Sequence, residues 1–163
     1  MSHSEPATDP QPDAVRPPLS LYIHVPWCVR KCPYCDFNSH AVTGTIPESA
    51  YLQALLEDLD LDLAFATGRT IETVFIGGGT PSLMSGAFFQ SLFRELRTRL
   101  TFNDDAEITL EANPSSLNNK KLQAYKRAGI NRLSLGVQSF RDEELELLGR
   151  IHSSDEARMI VKK

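Results

Sequence analysis

The sequence contains little cysteine, and what it contains is concentrated in one stretch. Among its 163 residues, cysteine stands only at Cys28, Cys32 and Cys35. Disulfides within one chain cannot use up an odd number of cysteines, and the first residues lack the apolar segment of a secretory signal. We therefore expect a cytoplasmic protein, because the reducing cytosol keeps thiols free to bind metal.

Long hydrophobic runs and an excess of positive charge are also missing. No apolar run approaches the roughly 20 residues of a membrane span, so we expect no transmembrane segment. The formal net charge is −4, which gives no electrostatic reason to expect binding to nucleic acid or to an anionic membrane. Apolar residues make up 41% of the chain and charged residues 23%, as in ordinary globular domains.

The chain divides into a short tail and one folded unit. Residues 1–18 are polar and proline-rich and include Glu5, Asp9 and Asp13, which predicts a disordered tail. These acidic residues also argue against a mitochondrial presequence. Residues 19–163 are long enough to form one domain with its own core.

The cysteine stretch dominates the interpretation of the chain. Residues 28–35 read Cys-Val-Arg-Lys-Cys-Pro-Tyr-Cys, and thiolates are soft ligands that favour iron–sulfur clusters, zinc or copper(I). A [4Fe–4S] cluster held by only three thiolates keeps one iron open to a small molecule. A structural zinc site remains an alternative at this point, with His24, Asp36 or His40 as the fourth ligand. A single disulfide and buried inert thiols also remain open.

A glycine-rich turn forms the second notable stretch. Residues 74–76 read Val-Phe-Ile and run directly into Gly-Gly-Gly-Thr-Pro at residues 77–81. Glycine allows a ligand to approach the backbone closely, and the exposed N–H and C=O groups can bind a small polar head group. By itself the turn is a weak signal, because glycine is common where strands end.

Taken together, the two stretches resemble the radical S-adenosyl-L-methionine (SAM) superfamily. The combination of Cys-x-x-x-Cys-x-aromatic-Cys with Gly-Gly-Gly-Thr-Pro is highly specific. Residues 21–28, Leu-Tyr-Ile-His-Val-Pro-Trp-Cys, and residues 136–140, Gly-Val-Gln-Ser-Phe, are similar to the oxygen-independent coproporphyrinogen III oxidase family. The resemblance covers roughly residues 19–163.

This resemblance implies a cofactor pair and a set of binding residues. Cys28, Cys32 and Cys35 would ligate a [4Fe–4S] cluster whose open iron takes the methionine part of SAM, and one electron from the cluster would cleave SAM. Glu111 would bind a ribose hydroxyl or the ammonium group. Gln138 would contact a second SAM molecule, together with Arg150. The full set of family SAM contacts falls on Tyr22, Tyr34, Gly78, Gly79, Thr80, Glu111, Gln138 and Arg150.

One position departs from the oxidases. The oxidases of this family have a further cysteine where this sequence has Phe37, and Cys-Pro-Tyr-Cys-Asp-Phe resembles the heme chaperone (HemW) branch. That resemblance implies a protein that binds heme as cargo and transfers it to an apoprotein. The alternatives are a true coproporphyrinogen III oxidase of porphyrin biosynthesis and a non-catalytic metal-binding fragment. The resemblance therefore implies a radical SAM fold without deciding whether the chain is an enzyme.

Hydrophobic periodicity predicts alternating strands and helices. Strands are expected at 19–25, 73–76, 107–113 and 132–138. Each is followed by an amphipathic helical stretch, and capping boxes are expected at Ser139-x-x-Asp142 and Ser153-x-x-Glu156. The run 59–63 alternates locally, but it lies inside a helical pattern and is predicted to be helix.

The order of these elements predicts an α/β fold with a parallel sheet. One face of the strands stays polar, with Tyr22 and His24 on the first, Glu111 on the third, and Ser134 and Gln138 on the fourth. We interpret them as part of a barrel wall whose polar face surrounds a charged cofactor. The fold class is thus a partial (β/α) barrel of the radical SAM type, incomplete, with about four βα units. Residues 19–163 would be the N-terminal part of that core domain, with the heme-binding residues beyond it.

Overall fold

The computed structural model of the protein describes residues 16–162, so most of the tail predicted over residues 1–18 lies outside the described residues. Strands and helices alternate along this range. The strands are β1 (Leu19–Val25), β2 (Trp27–Cys28), β3 (His40–Ala41), β4 (Thr70–Gly78), β5 (Thr101–Ala112) and β6 (Arg132–Leu135). The helices are α1 (Glu48–Ala66), α2 (Gly86–Arg99), α3 (Asn119–Ala128), α4 (Asp142–Leu147) and α5 (Ser154–Val161).

Four of the strands form one parallel sheet in the order β1-β4-β5-β6. Ile23 is paired with Ile76, Ile76 with Leu110, and Leu110 with Leu133. Within residues 16–162 the sheet does not close on itself, because β1 and β6 are its two edges. This confirms the predicted α/β fold with about four βα units of a partial barrel. Because all four strands are parallel, their carboxyl ends meet at one edge, where sites of such folds lie.

The two faces of the sheet differ as the alternation predicts. Val25, Ile76 and Leu110 are fully buried on the side covered by the helices, where Phe89 and Phe93 of α2 join them. Burying each such side chain contributes about 1.5–3 kcal/mol. On the other face, Tyr22 is 57% and Phe75 37% exposed. The apolar face therefore supplies the core, and the opposite face is free to surround a ligand.

Local signals in the sequence fix several helix ends. The Ser85 hydroxyl accepts the N–H of Phe88 at the start of α2, and the Asn118 side chain does the same for α3. Gly129 ends α3 with a φ of 104°, a conformation that costs glycine little. The helical prediction for residues 59–63 is confirmed, because they lie inside α1. Helical spacing over a long segment outweighs a short alternating run.

Strand lengths are less accurately predicted. Thr70–Gly78 and Thr101–Ala112 both begin earlier than their alternating patterns suggest. Arg132–Leu135 is shorter than the predicted strand 132–138, because the chain turns after its fourth residue. The Gly136 N–H still donates to the Ala112 carbonyl at 2.9 Å, so the turning segment stays attached to the end of β5.

One of the two predicted capping boxes is wrong. At the start of α4 the Ser139 hydroxyl bonds the Glu144 carboxylate and accepts the Arg141 N–H, and Arg141 occupies the cap position without a side-chain cap. The predicted box of α5 is confirmed. There the Ser153 hydroxyl accepts the Glu156 N–H, and the Glu156 carboxylate accepts the Ser153 N–H.

Candidate functional site: a cysteine and glycine cavity

A small strand pair frames the cysteine loop. β2 and β3 pair in parallel, with Trp27 opposite His40 and Cys28 opposite Ala41. The His40 N–H donates to the Pro26 carbonyl at 2.7 Å, and the Val42 N–H donates to the Cys28 carbonyl at 2.8 Å. Both ends of the loop are therefore held together by backbone hydrogen bonds. Sequence reasoning missed this pair because two-residue strands have no readable period.

The three cysteines are free thiols around one cavity. Cys28 is 7% exposed, and Cys32 and Cys35 are half-buried. The Cys35 N–H donates to the Cys32 carbonyl at 3.1 Å, which closes a tight turn between these two residues. All three line a cavity of about 310 Å³ at the carboxyl edge of the sheet, at the lower end of the usual size for small-molecule sites.

The glycine turn lies directly against this loop. The Gly79 N–H donates to the Val25 carbonyl and the Thr80 N–H to the Trp27 carbonyl, both at 2.7 Å. A β-carbon at Gly79 would lie 2.7 Å from the Trp27 carbonyl oxygen. Gly78, Gly79 and Thr80 all line the cavity. The glycines are thus needed for the close approach of the turn to the loop.

Alanine at Gly78 should destabilise the protein more than alanine at a comparable exposed glycine. Gly78 has a φ of +111°, and a β-carbon there would lie 2.8 Å from the His24 ring and 2.9 Å from the Val25 carbonyl oxygen. Gly44 is the matched control, since its φ is +81° with no atom within 4 Å of the β-carbon position. Gly44→Ala should cost about 1–2 kcal/mol.

Gly78→Ala should cost clearly more than Gly44→Ala, because a contact with fixed backbone adds to the conformational cost. Urea unfolding of the two variants and the unmodified protein measures the free energy of unfolding. Equal losses in the two variants would show that the close contact with His24 and Val25 contributes nothing.

Glu111 provides a carboxylate beside the glycine turn. It precedes the last residue of β5, and its Oε2 accepts the Gly78 N–H at a long 3.3 Å. Burial raises the pKa of Glu111, while the Gly78 N–H and the nearby His24 lower it. A half-buried carboxylate with one weak hydrogen bond retains capacity to accept further donors. The site can therefore bind an ammonium or hydroxyl group at this point.

The Arg150 guanidinium contacts three residues that line the cavity. Its Nη2 donates to the Gly136 carbonyl at 2.7 Å, and its Nη1 lies 3.5 Å from the Cys32 sulfur and 3.4 Å from the Tyr34 hydroxyl. Within the described chain its buried Nε has no hydrogen-bond partner. Burial raises the pKa of Tyr34, and Arg150 opposes this shift. A buried donor without a partner is costly, so the Arg150 side chain is held in place by its other contacts at some cost in free energy.

The structure places Gln138 in the cavity wall but Tyr22 outside it. Gln138 lines the cavity and has a φ of 70°, in the left-handed region. The Tyr22 side chain stacks on Phe75, and its hydroxyl is 2.9 Å from His24 Nδ1. His24 Nε2 in turn contacts the Asn38 carbonyl at 2.7 Å. Tyr22 therefore contacts His24 and not the cavity. His24 in turn connects β1 to the end of the cysteine loop.

Phe37 lies at the mouth of the same cavity. Its side chain is 62% exposed, and it lines the cavity together with the cysteines. The Lys31 ammonium donates to its backbone carbonyl at 3.1 Å. The position that distinguishes this sequence from the oxidases is thus next to the cluster ligands implied by the resemblance. A phenyl ring there offers an apolar surface and no thiol.

The donor set fits a cluster better than a single ion. In the part of the chain that the structure describes, no three His, Cys, Asp or Glu side chains are placed to share one metal ion. A [4Fe–4S] cluster takes one thiolate on each of several separate irons, so it needs thiolates arranged around a cavity. The three free cysteines lie around one such cavity, and the glycine turn and Glu111 border the same space.

Comparison with known proteins identifies the family. The family model described as the radical SAM superfamily matches residues 22–163. The chain belongs to the radical SAM superfamily. The matched residues include both the cysteine loop and the glycine turn. Across residues 16–162 no helix combines the length and the apolar character that crossing a membrane requires.

The curated relatives of this radical SAM chain include heme chaperones. It is 58% identical over 146 residues to "Heme chaperone HemW" of Escherichia coli, a match that covers 90% of this chain and 39% of the relative. It is 51% identical over 149 residues to the protein of the same name from Haemophilus influenzae, covering 89% and 39%. The chain therefore spans about 39% of the length of these relatives.

A solved radical SAM enzyme has a similar fold. Coproporphyrinogen III oxidase from Escherichia coli matches with a TM-score of 0.78 and 34% sequence identity. The match covers 86% of this chain and 32% of that enzyme. The partial barrel described above is thus a radical SAM fold of the coproporphyrinogen oxidase type.

Proposed function

We propose that the cavity binds a [4Fe–4S] cluster through Cys28, Cys32 and Cys35 and binds SAM beside it. The single observation that carries this proposal is the meeting of three free thiols, the glycine turn and Glu111 around one cavity. Membership of the radical SAM superfamily supports it. When bound, the cluster supplies an electron for the reductive cleavage of SAM.

The residues of the chain bind and orient this cofactor pair. Gly78 and Gly79 form part of the cavity wall without side chains that would fill it, and Thr80 adds a hydroxyl. Glu111 accepts hydrogen bonds from the ammonium or a ribose hydroxyl of SAM, and Tyr34 lies near the adenine. Gln138 and Arg150 contact a second SAM molecule, while Tyr22 acts from the exposed face of β1.

We further propose that the whole protein is a heme chaperone, which binds heme and transfers it to an apoprotein. The relatives named heme chaperone at 58% and 51% identity support this function. The chain spans about 39% of the length of those relatives, so this function is proposed for the whole protein. Three free thiols suit a reducing compartment, so we place the protein in the cytoplasm.

The second candidate is an oxygen-independent coproporphyrinogen III oxidase. The fold match to the Escherichia coli oxidase favours it. Phe37 opposes it, because a phenyl ring at the mouth of the cavity can neither transfer a proton nor bind metal. The two functions therefore differ in what the full-length protein does with a tetrapyrrole.

Tetrapyrrole chemistry on the full-length protein separates the candidates. The anaerobically reconstituted protein, given SAM and a reductant, should bind heme and leave coproporphyrinogen III unconverted. Heme is titrated by its absorption spectrum, and products are analysed by chromatography. Phe37→Cys should retain the cluster, because the three ligands are untouched, and should not gain oxidase activity. Catalytic formation of protoporphyrinogen IX by the unmodified protein would establish the oxidase instead.

A further inference from the structure

His152 is a buried histidine that belongs to no recognised motif. It is 4% exposed and lies two residues after Arg150, just before α5. A buried imidazole is costly unless its nitrogens are hydrogen-bonded. Its contacts therefore indicate what the residue contributes.

Both ring nitrogens of His152 contact segments that reach the cavity. Nε2 lies 3.0 Å from the Val137 carbonyl, and Nδ1 lies 3.2 Å from Asn113 Oδ1. Asn113 follows β5, and Val137 immediately precedes Gln138; both Asn113 and Gln138 line the cavity. One ring thus lies between the segments that follow two neighbouring strands.

The geometry shows which ring nitrogen of His152 donates a hydrogen bond. The Val137 carbonyl can only accept, so Nε2 donates to it. The Asn113 oxygen also accepts the Ser115 N–H, at 3.2 Å, which fixes the orientation of that amide. Burial lowers the pKa of His152; Arg150 also lowers it, while the Val137 bond and Glu156 raise it. A neutral ring carries one N–H, which donates to Val137. Nδ1 then carries a lone pair, so its contact with the Asn113 oxygen is not a hydrogen bond.

The Val137 carbonyl is part of an unusual turn. It also accepts the Ser139 N–H at 2.9 Å, which closes a three-residue turn around Gln138. Gln138 has a φ of 70°, and a γ-turn with positive φ is rare and strained. Such a conformation persists only where the surroundings hold it. The His152 ring on the Val137 carbonyl and the Arg150 guanidinium on the Gly136 carbonyl provide that restraint.

We infer that His152 is a positioning residue for the proposed SAM site: it braces the strained turn that presents Gln138 to the cavity. This inference rests on the proposed function, because Gln138 matters only if the cavity binds SAM. His152 does not itself line the cavity. Its effect is therefore expected on SAM affinity and not on the cluster, whose ligands lie on another loop.

Three substitutions of His152 test the bond to Val137. Glutamine places its side-chain nitrogen about as far from the α-carbon as histidine places Nε2, so it can still donate to the Val137 carbonyl. Asparagine reaches only as far as Nδ1 and loses that bond, and leucine loses both contacts. SAM affinity is measured anaerobically by calorimetry on reconstituted protein, with iron content recorded for each variant. Asp155→Asn, an exposed change in the first turn of α5, is the matched control.

We expect His152→Gln to keep SAM affinity within about threefold of the unmodified protein. His152→Asn and His152→Leu should lose about tenfold, as for one lost hydrogen bond, with iron content unchanged. Equal SAM affinity in the Gln and Asn variants would overturn the inference, even if His152→Leu failed to fold. If the unmodified protein bound a cluster but no SAM, the proposed function would fail as well, so the two failures are distinguishable.

Discussion

Alanine at any one of Cys28, Cys32 or Cys35 should abolish the iron–sulfur cluster. With only three cysteines in the sequence, no other thiol can replace a lost ligand. Anaerobic reconstitution of the unmodified chain should give about four iron and four sulfide per chain, with broad absorption at about 400 nm. Each alanine variant should lose both signals nearly completely. The loss should be as large for the half-buried Cys32 and Cys35 as for the buried Cys28.

Val29→Ala provides the matched control for the cysteine variants. Val29 lies in the same loop, is exposed and carries no metal-binding group. This variant should reconstitute as the unmodified protein does, so a loss specific to the thiols can be recognised. Zinc at one per chain, without absorption near about 400 nm, would contradict the cluster and favour a structural zinc site.

Glu111→Gln should weaken SAM binding without removing the cluster. Loss of one charge-assisted hydrogen bond costs about 1.5–3 kcal/mol, which corresponds to roughly a ten- to hundredfold fall in affinity. Glu111 is half-buried next to Gly78 and lines the cavity, so its charge is only partly screened by water. Anaerobic calorimetry measures the affinity, and iron analysis checks the cluster.

The pH dependence of SAM affinity tests the role of the Glu111 charge separately. Burial raises the pKa of Glu111 above its ordinary value, so it takes up a proton at a higher pH than an exposed glutamate does. SAM affinity should therefore fall as the pH is lowered toward that pKa, and Glu111→Gln should lack this dependence. Glu107→Gln, on the same strand but exposed and paired with Arg132, should leave affinity unchanged. An unaltered affinity in Glu111→Gln would remove Glu111 from the site.

Much of the fold can be predicted from the sequence because its signals are local. The alternation of residues 19–25 gives β1 with correct bounds, and Asn118 and Gly129 mark the two ends of α3. The strand pair β2–β3 could not be predicted, since strands of two residues are too short to show an alternating pattern. The false capping box at Ser139 shows the same limit. Its serine hydroxyl donates to Glu144 and accepts the Arg141 N–H, and spacing alone does not reveal these partners.

Some features of the candidate site could be predicted from the sequence, and others could not. Motif residues such as Cys28 and Gly78 converge on one cavity, because strand ends of a parallel sheet share an edge. Tyr22 has the predicted face of β1 but turns toward His24 and Phe75, and a side-chain rotamer is not encoded in alternation. His152 was missed because its partners lie 15 and 39 residues earlier.

The backbone hydrogen bonds around the cysteine loop bear on the order in which the protein folds and acquires its metal. Its bonds run from the N–H groups of His40, Val42, Gly79 and Thr80, and none of them involves a thiol. Small zinc domains, by contrast, fold only when the metal binds. Here the loop is held by its own peptide groups, so folding is expected to precede metal loading. A cluster destroyed by air could then be reassembled on the folded loop without unfolding of the chain.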